Sequence, residues 1–457
     1  MEHVNRTSAA HKKFSHGITS LAIVVAVAVL VSTAAVGPAH AQSTGIQQSQ
    51  RILQPSGETA EHDSFGTGVA ISGNGKTMII GAFNADGNEV GAGAAFIFDR
   101  IEDNWVQTAK LFAADGQAEP VPSPPFPPND FRTDAFGSTV AISEDGNTVI
   151  AGAPGHKHKG LAADSGAVYV YQRVNGSWSQ QAELFSPTPN SQDHFGEAPD
   201  FGGVGISGNT IVVTDEGNGF SSPGAVDVFT RTNDTWTLST RLFVPDDPFF
   251  LPSSLAFDGR TLVVGSDISD APTASLAGVV YVFRLDDGQW SAPVALTAAD
   301  ASSGGTFGFS VGLSNNTIGV GASLGPGATS QSGAAYVFVR HGDAWIQRAR
   351  LIADDGADGD NFGTSISVSD QRVLVGATGH TPPAGAFGAG AGYVFQPRGG
   401  TWAQIAELSA SDGITGGNFG GSVAVQNGTL LIGAFGQHPP VEGYPGGEAY
   451  VYQLRDN

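Results

Sequence analysis

The chain of 457 residues contains no cysteine, so it has neither a disulfide framework nor a lipid-attachment cysteine. Positive charge is also scarce. Lys and Arg together number 21 against 43 Asp and Glu, a formal net charge of −22, which is the opposite of the basic surface that a nucleic-acid partner requires. Beyond about residue 41 no apolar run is long enough to span a bilayer. Catalytic signatures are missing too: there is no Gly-x-Ser-x-Gly elbow, no His-Glu-x-x-His helix and no phosphate-cradling Gly-x-x-x-x-Gly-Lys. Charged residues make up only 14% of the chain and glycines number 64. A fold built from this composition relies on apolar faces and tight turns.

The first 41 residues stand apart. Arg6, Lys12 and Lys13 precede an apolar run from about Ile18 to Val36, and Ala39-His40-Ala41 has the small-x-small pattern of a cleavage site. The alternatives are a retained signal anchor and a signal peptide cut after Ala41; cleavage is the expectation, which makes 42–457 the mature, secreted or periplasmic chain. Removing residues 1–41 takes away three Lys/Arg and one Glu, leaving 18 basic and 42 acidic residues and a formal charge of −24. That excess suits solubility outside the cytoplasm, or attraction of divalent cations.

What the rest of the chain has is repetition. Phe136 to Leu184 holds four short apolar runs, Val140 to Ser143, Thr148 to Ala151, Ala167 to Tyr171 and Trp178 to Leu184. They are punctuated by Asp145-Gly146, a Gly-rich loop and Asn175-Gly176, the pattern of a four-stranded antiparallel meander. Such a sheet needs copies of itself to bury both faces. Phe-Gly openings recur at Phe65, Phe136, Phe307, Phe362 and Phe419, with a shifted version near Phe201 and Leu251-Pro252 in the fourth unit; the seven starts average 59 residues apart. A Gly-x-x-aromatic-x-aromatic strand recurs seven times, and Asp227 is the one departure at its first aromatic position. All six tryptophans, Trp105, Trp178, Trp236, Trp290, Trp345 and Trp402, stand six residues before a leucine. This regularity marks the repeated Phe and Trp as core residues wedged between sheets.

The seventh unit ends after its third strand, while Gln47 to Leu53 lies just ahead of Phe65. The N-terminal strand is therefore expected to complete the last sheet and close a ring of seven blades, leaving only short, protected edges. The segments FGSTVAIS and VIAGAP resemble the FG-GAP repeat of the integrin α-chain head and its secreted bacterial relatives. The resemblance implies an all-β, seven-bladed β-propeller over residues 47–457, with degenerate third and fourth units at Thr214-Asp215-Glu216 and Gly265-Ser266-Asp267.

In an up-and-down meander the short turns share one face and the long links share the other. The loop face carries the Pro-rich stretch EPVPSPPFPPNDF, the pairs Pro382-Pro383 and Pro439-Pro440, and His156, His158, His380 and His438. The resemblance also implies calcium sites between the first two strands of a blade. Here that link shrinks to turns such as Glu-Asp-Gly-Asn, so those ligands are lost and no cofactor is expected from it. The dense acidic loop is 354–361, which makes Asp354, Asp358 and Asp360 the Ca²⁺ candidates; turn capping accounts for the same residues. His156-Lys157-His158 offers two imidazoles without a neighbouring carboxylate, and Asp130, Asp134 and Asp164 offer carboxylates at unknown separation. Asn175, Asn233, Asn315 and Asn427 match the N-glycosylation pattern but fall in short turns, where Asn is expected for backbone reasons.

The resulting expectation is a non-catalytic binding or adhesion module that recognises an extracellular protein or glycan through its loop face. The competing readings are a polysaccharide-acting hydrolase or lyase with paired carboxylates at the propeller axis, and a purely structural surface protein.

Overall fold

Where a strand meets neighbours on both faces its sequence is continuously apolar; where it meets one, it alternates. Both patterns recur in every repeat. The computed structural model describes residues 45–454, except 55–62, 117–132, 158–164, 190–192, 198–202, 218–222, 246, 248–249, 370–371, 384 and 437–445. Residues 1–44, with the cleavage expected after Ala41, lie outside the described residues, as do the whole Pro-rich stretch and Pro439-Pro440. In each repeat the second strand is buried from its second residue on, and Thr77–Ala82 and Thr429–Ala434 are buried throughout. The third, such as Ala167–Val174, is buried for five residues and then emerges. The fourth, such as Ser177–Leu184, is half exposed.

The strands form seven antiparallel sheets in sequence order, the blades of a propeller. First strands of successive blades pack side by side, so they line the inside of the ring and the fourth strands form its outer rim. In the fourth blade the outer strand is broken into Gln289–Trp290 and Val294–Leu296, both paired with Val279–Asp286. Pro293 sits at the break, where it has no N–H to offer the ladder.

Closure occurs as expected. Ile46–Leu53 pairs antiparallel with Glu448–Leu454 and supplies the fourth strand of the last blade. The register differs by one residue from the expected alignment. Ile52, opposite Ala449, takes the place that Leu111 or Leu408 holds elsewhere and is 3% exposed, whereas Leu53 is 48% exposed. A bulge between Gln48 and Gln50 accompanies this register, and Gln50 exchanges two 2.8 Å hydrogen bonds with the Trp105 backbone of the first blade.

The Phe-Gly openings join one blade to the next. Each Phe packs against the aromatic residues of its own third strand, as Phe362 does with Tyr393 and Phe395. The following Gly has positive φ, and its carbonyl accepts a hydroxyl from the preceding blade: Ser365 to Gly420, Ser310 to Gly363 and Thr139 to Gly196. Ser422 to Gly66 makes the same bond across the closure. A Cβ on Gly81, the glycine of the first Gly-Ala pair, would run into the Gly137 carbonyl. Backbones of adjacent blades touch there, which only glycine permits.

Two repeat starts move. In the third blade the buried aromatic is Phe195, which packs against Phe229 while Gly196 accepts the Thr139 hydroxyl; Phe201 lies outside the described residues. In the fourth it is Phe250, stacked edge-on against Tyr281, one residue ahead of Leu251-Pro252. The tryptophans are also less central than expected. Trp105 and Trp236 are buried, whereas Trp178, Trp290, Trp345 and Trp402 on the outer strands are partly buried, each packed against the edge of a core cluster, and Trp178 lies under the Arg173 guanidinium. Val140, expected in the core with Ile142, Val149, Tyr169 and Tyr171, packs only against its edge. The turn reading of Asn175, Asn233, Asn315 and Asn427 holds, since all four have φ near +50°.

Candidate functional site

The loop end of a blade is assembled from four stretches of chain. In the sixth blade these are the link following the outer strand Ala344–Leu351, the residues just before Phe362, the end of the second strand Arg372–Ala377, and the cross-strand pair Tyr393 and Glu407. Five polar side chains converge there. His380 Nδ1 lies 2.8 Å from Asp360 Oδ2, while Nε2 faces Asp355 Oδ2 at 3.6 Å and Glu407 Oε1 at 3.5 Å. Tyr393 donates its hydroxyl to Asp355 Oδ1 at 3.0 Å and meets the imidazole edge-on.

The second blade repeats this arrangement. His156 Nδ1 is 2.9 Å from Asp134 Oδ2, and Nε2 is 3.9 Å from Asp115 and 3.6 Å from Glu183. Tyr169, the cross-strand partner of Glu183, donates to Asp115 at 3.0 Å. In both blades the histidine and the aspartate on Nδ1 are buried, while the carboxylates facing Nε2 reach partly to solvent. Burial alone would lower the pKa of His380, but Glu407, Asp360 and Asp355 outweigh it and push the value up to about 9. His156 shifts in the same direction, with burial again opposed by Asp134, Asp115 and Glu183. Burial, reinforced by the neighbouring carboxylates, raises the Tyr169 and Tyr393 hydroxyls far above the usual range, so both remain protonated donors.

Other blades place a different cation in the same place. The outer-strand position of Glu183 and Glu407 is Arg241, Arg350 and Arg51 in the third, fifth and seventh blades. Arg241 pairs with Asp215 at 2.8 Å, Arg350 with Asp300 at 3.1 Å, and Arg51 with Asp412 at 2.7 Å and with fully buried Glu448. In the first blade Lys110 lies over the Phe96 ring. Only in the second and sixth blades is this position acidic, and there a histidine follows the Gly-Ala strand end by three residues.

Asp354, Asp358 and Asp360 do not converge on one point. Asp358 is exposed and accepts bonds from the Thr329 hydroxyl and the Gln331 amide, tying its loop to the fifth blade. Asp360 is buried on His380, and the Asp354 amide is held by the Gln404 side chain. Asp355, not singled out from the sequence, joins Asp360 of the same loop in the cluster. Likewise His156, expected to lack a neighbouring carboxylate, meets three; His158, His438, Asp130 and Asp164 lie outside the described residues. Glu183 and Glu407 carried a signal that was available in the sequence: they are the acidic exceptions, five residues after Trp, to a column otherwise basic or alanine. Among the described residues, carboxylates gather at the loop ends of the second and sixth blades, where Glu183 or Glu407 of the outer strand meets aspartates of the link ahead of the blade.

The FG-GAP repeat family matches residues 47–98, 129–171, 290–338, 345–395 and 402–452, just over half of the chain. No curated protein matches it.

Proposed function

Because the chain belongs to the FG-GAP repeat family, whose propellers serve as binding or structural modules and are typically non-catalytic, we propose that it is an exported binding module. Its long-loop face takes an extracellular protein partner. One observation supports this above others. Exposed large apolar side chains gather at the loop ends of the blades: Phe112, Phe185 and Phe243 each follow the last leucine of an outer strand in three consecutive blades, and Phe387, 78% exposed, tops the sixth. A repeated surface row of phenylalanines has no role in the core and is of the kind that marks interaction sites. Phenylalanine also lacks the polar edge by which Trp or Tyr holds a sugar, so a protein is favoured over a glycan. The net charge of −22 favours partners with basic surroundings. FG-GAP repeats are typical of extracellular proteins, in keeping with the export signal read at residues 1–41.

The test is site-specific photo-crosslinking on cells that export the protein. A crosslinker at Phe243 or Phe387 is expected to capture a discrete protein band, and one at Ile101 or Val174 on the short-turn face is not. Equal capture from both faces, or none from either, would remove the loop face as the binding surface. Selective retention on immobilised polysaccharide instead would assign it to glycans.

A further inference from the structure

We propose that the two histidine clusters are twin binding sites for a divalent transition metal of the zinc class. His380 Nε2, Asp355 and Glu407 supply the ligands in the sixth blade, and His156 Nε2, Asp115 and Glu183 in the second. In each set the three ligand atoms lie within 4.8 Å of one another. Donor atoms around a tetrahedral zinc, bound at about 2.0–2.2 Å, are roughly 3.3–3.6 Å apart, so the 3.5–3.9 Å spacings from Nε2 need only a small inward adjustment.

The imidazole carries the argument. Its Nδ1 is occupied by Asp360, which orients the ring and leaves Nε2 aimed at two carboxylates, the arrangement that metal-ligating histidines share. His380 is 4% exposed, yet Nε2 has no hydrogen-bond partner. A neutral ring places its lone pair against two anionic oxygens; a protonated ring meets Glu407 and Asp355 only at 3.5 and 3.6 Å, longer than an ordinary N–H···O bond. A cation between the three atoms resolves either conflict.

Comparison among blades supports a charge deficit at these two positions. Where the outer strand carries Arg51, Arg241 or Arg350, a guanidinium fills the pocket and meets its aspartates. The second and sixth blades place Glu183 and Glu407 there instead and set a buried aspartate, Asp134 or Asp360, beside the partly exposed Asp115 or Asp355, so each cluster holds three carboxylates around one histidine. A divalent ion with a neutral imidazole lowers the formal charge to −1, the value that Asp412, Glu448 and Arg51 carry in the seventh blade. One nitrogen and a few oxygens suit zinc or manganese better than calcium, which prefers six to eight oxygens. Each ion would fasten the link from the preceding blade, through Asp115 or Asp355, to the outer strand of the next. This role is structural and does not depend on the partner proposed above.

The experiment is metal analysis of the purified full chain after incubation with Zn²⁺ and gel filtration, alongside melting in EDTA, Zn²⁺, Mn²⁺ and Ca²⁺. About two zinc ions per chain and a Tm raised by Zn²⁺ but not by Ca²⁺ are expected. The variants Glu183→Arg and Glu407→Arg, which install the arginine of the sister blades, should each lose one ion, and the double variant should lose both ions and the zinc response. If an arginine variant does not fold, Glu407→Gln is expected to reduce the stoichiometry by one. Wild-type protein that retains no zinc would overturn the proposal. So would zinc retained equally by wild type and by a folded double arginine or double glutamine variant, because binding would then lie at other histidines.

Discussion

The one-residue register of the closing strand gives the sharpest test of how the ring is sealed. Ile52 packs among Phe65, Trp105, Leu431 and Val451, between the last blade and the first, whereas Leu53 beside it is half exposed. Truncating a fully buried isoleucine to alanine costs about 2–5 kcal/mol, while trimming an exposed side chain changes stability by no more than about 0.5 kcal/mol. With an unfolding entropy of about 2.1 cal/mol/K per residue over roughly 400 folded residues, each kcal/mol moves Tm by about 1.2 °C. Ile52→Ala should therefore melt about 2–6 °C below the parent by differential scanning calorimetry, and Leu53→Ala within about 1 °C of it. A Leu53→Ala variant that loses as much as Ile52→Ala would refute the register and with it the bulge at Gln48 to Gln50.

Removing Ile46–Leu53 altogether takes away two buried isoleucines, at about 1.5–3 kcal/mol each, and leaves Glu448 buried without Arg51, at about 3–5 kcal/mol. The loss is comparable with the 5–15 kcal/mol that holds a typical domain together. The truncated chain should melt at least about 7 °C lower or fail to fold, and melting within 2 °C of the parent would contradict the borrowed strand. A pH prediction concerns Asp227, which occupies an aromatic position of the repeat, is fully buried and has no hydrogen bond on either oxygen. Burial pushes its pKa up to about 7, with Arg241 opposing and Asp215 reinforcing. An acid whose folded pKa is raised holds its proton longer in the folded state, so stability falls as pH rises from about 4 to 7, by on the order of 3 kcal/mol. Asp227→Asn should flatten most of that slope in urea titrations across pH 4–8 while keeping the Arg241–Asp215 pair. A slope unchanged in the variant would place the effect elsewhere, with Glu197 the next group to test, since burial beside Glu216 raises it to about 8.

The architecture was legible because its determinants are local and repeated seven times. Apolar runs of strand length, Asn-Gly and Asp-Gly turns, and Gly at each Phe-Gly opening are short-range requirements that any one repeat states and the others confirm. Degenerate repeats are harder to place: the residues after Phe195-Gly196 depart from the strand pattern, so the local sequence points to Phe201 although Phe195 is the buried aromatic. Tryptophan spacing was real, but regular spacing does not distinguish a core wedge from an outer-strand cover. The histidine clusters were the least legible feature. His380 takes its partners from Asp355 and Asp360 of the link ahead of Phe362 and from Glu407 of the outer strand, and nothing in the chain near His380 announces them.

The sequence alone determined the number of blades, their four-stranded meander, the sharing of the last blade between the two ends of the chain and the separation of short turns from long links, because strand periodicity and turn chemistry act within a few residues. Only the tertiary structure decided which carboxylates face each histidine, which of two adjacent residues seals the ring, and which phenylalanines are buried or left in solvent. Those outcomes depend on how one blade stacks on the next. A difference of one residue or one side of a strand, invisible in the local pattern, decides between core, ion cluster and surface.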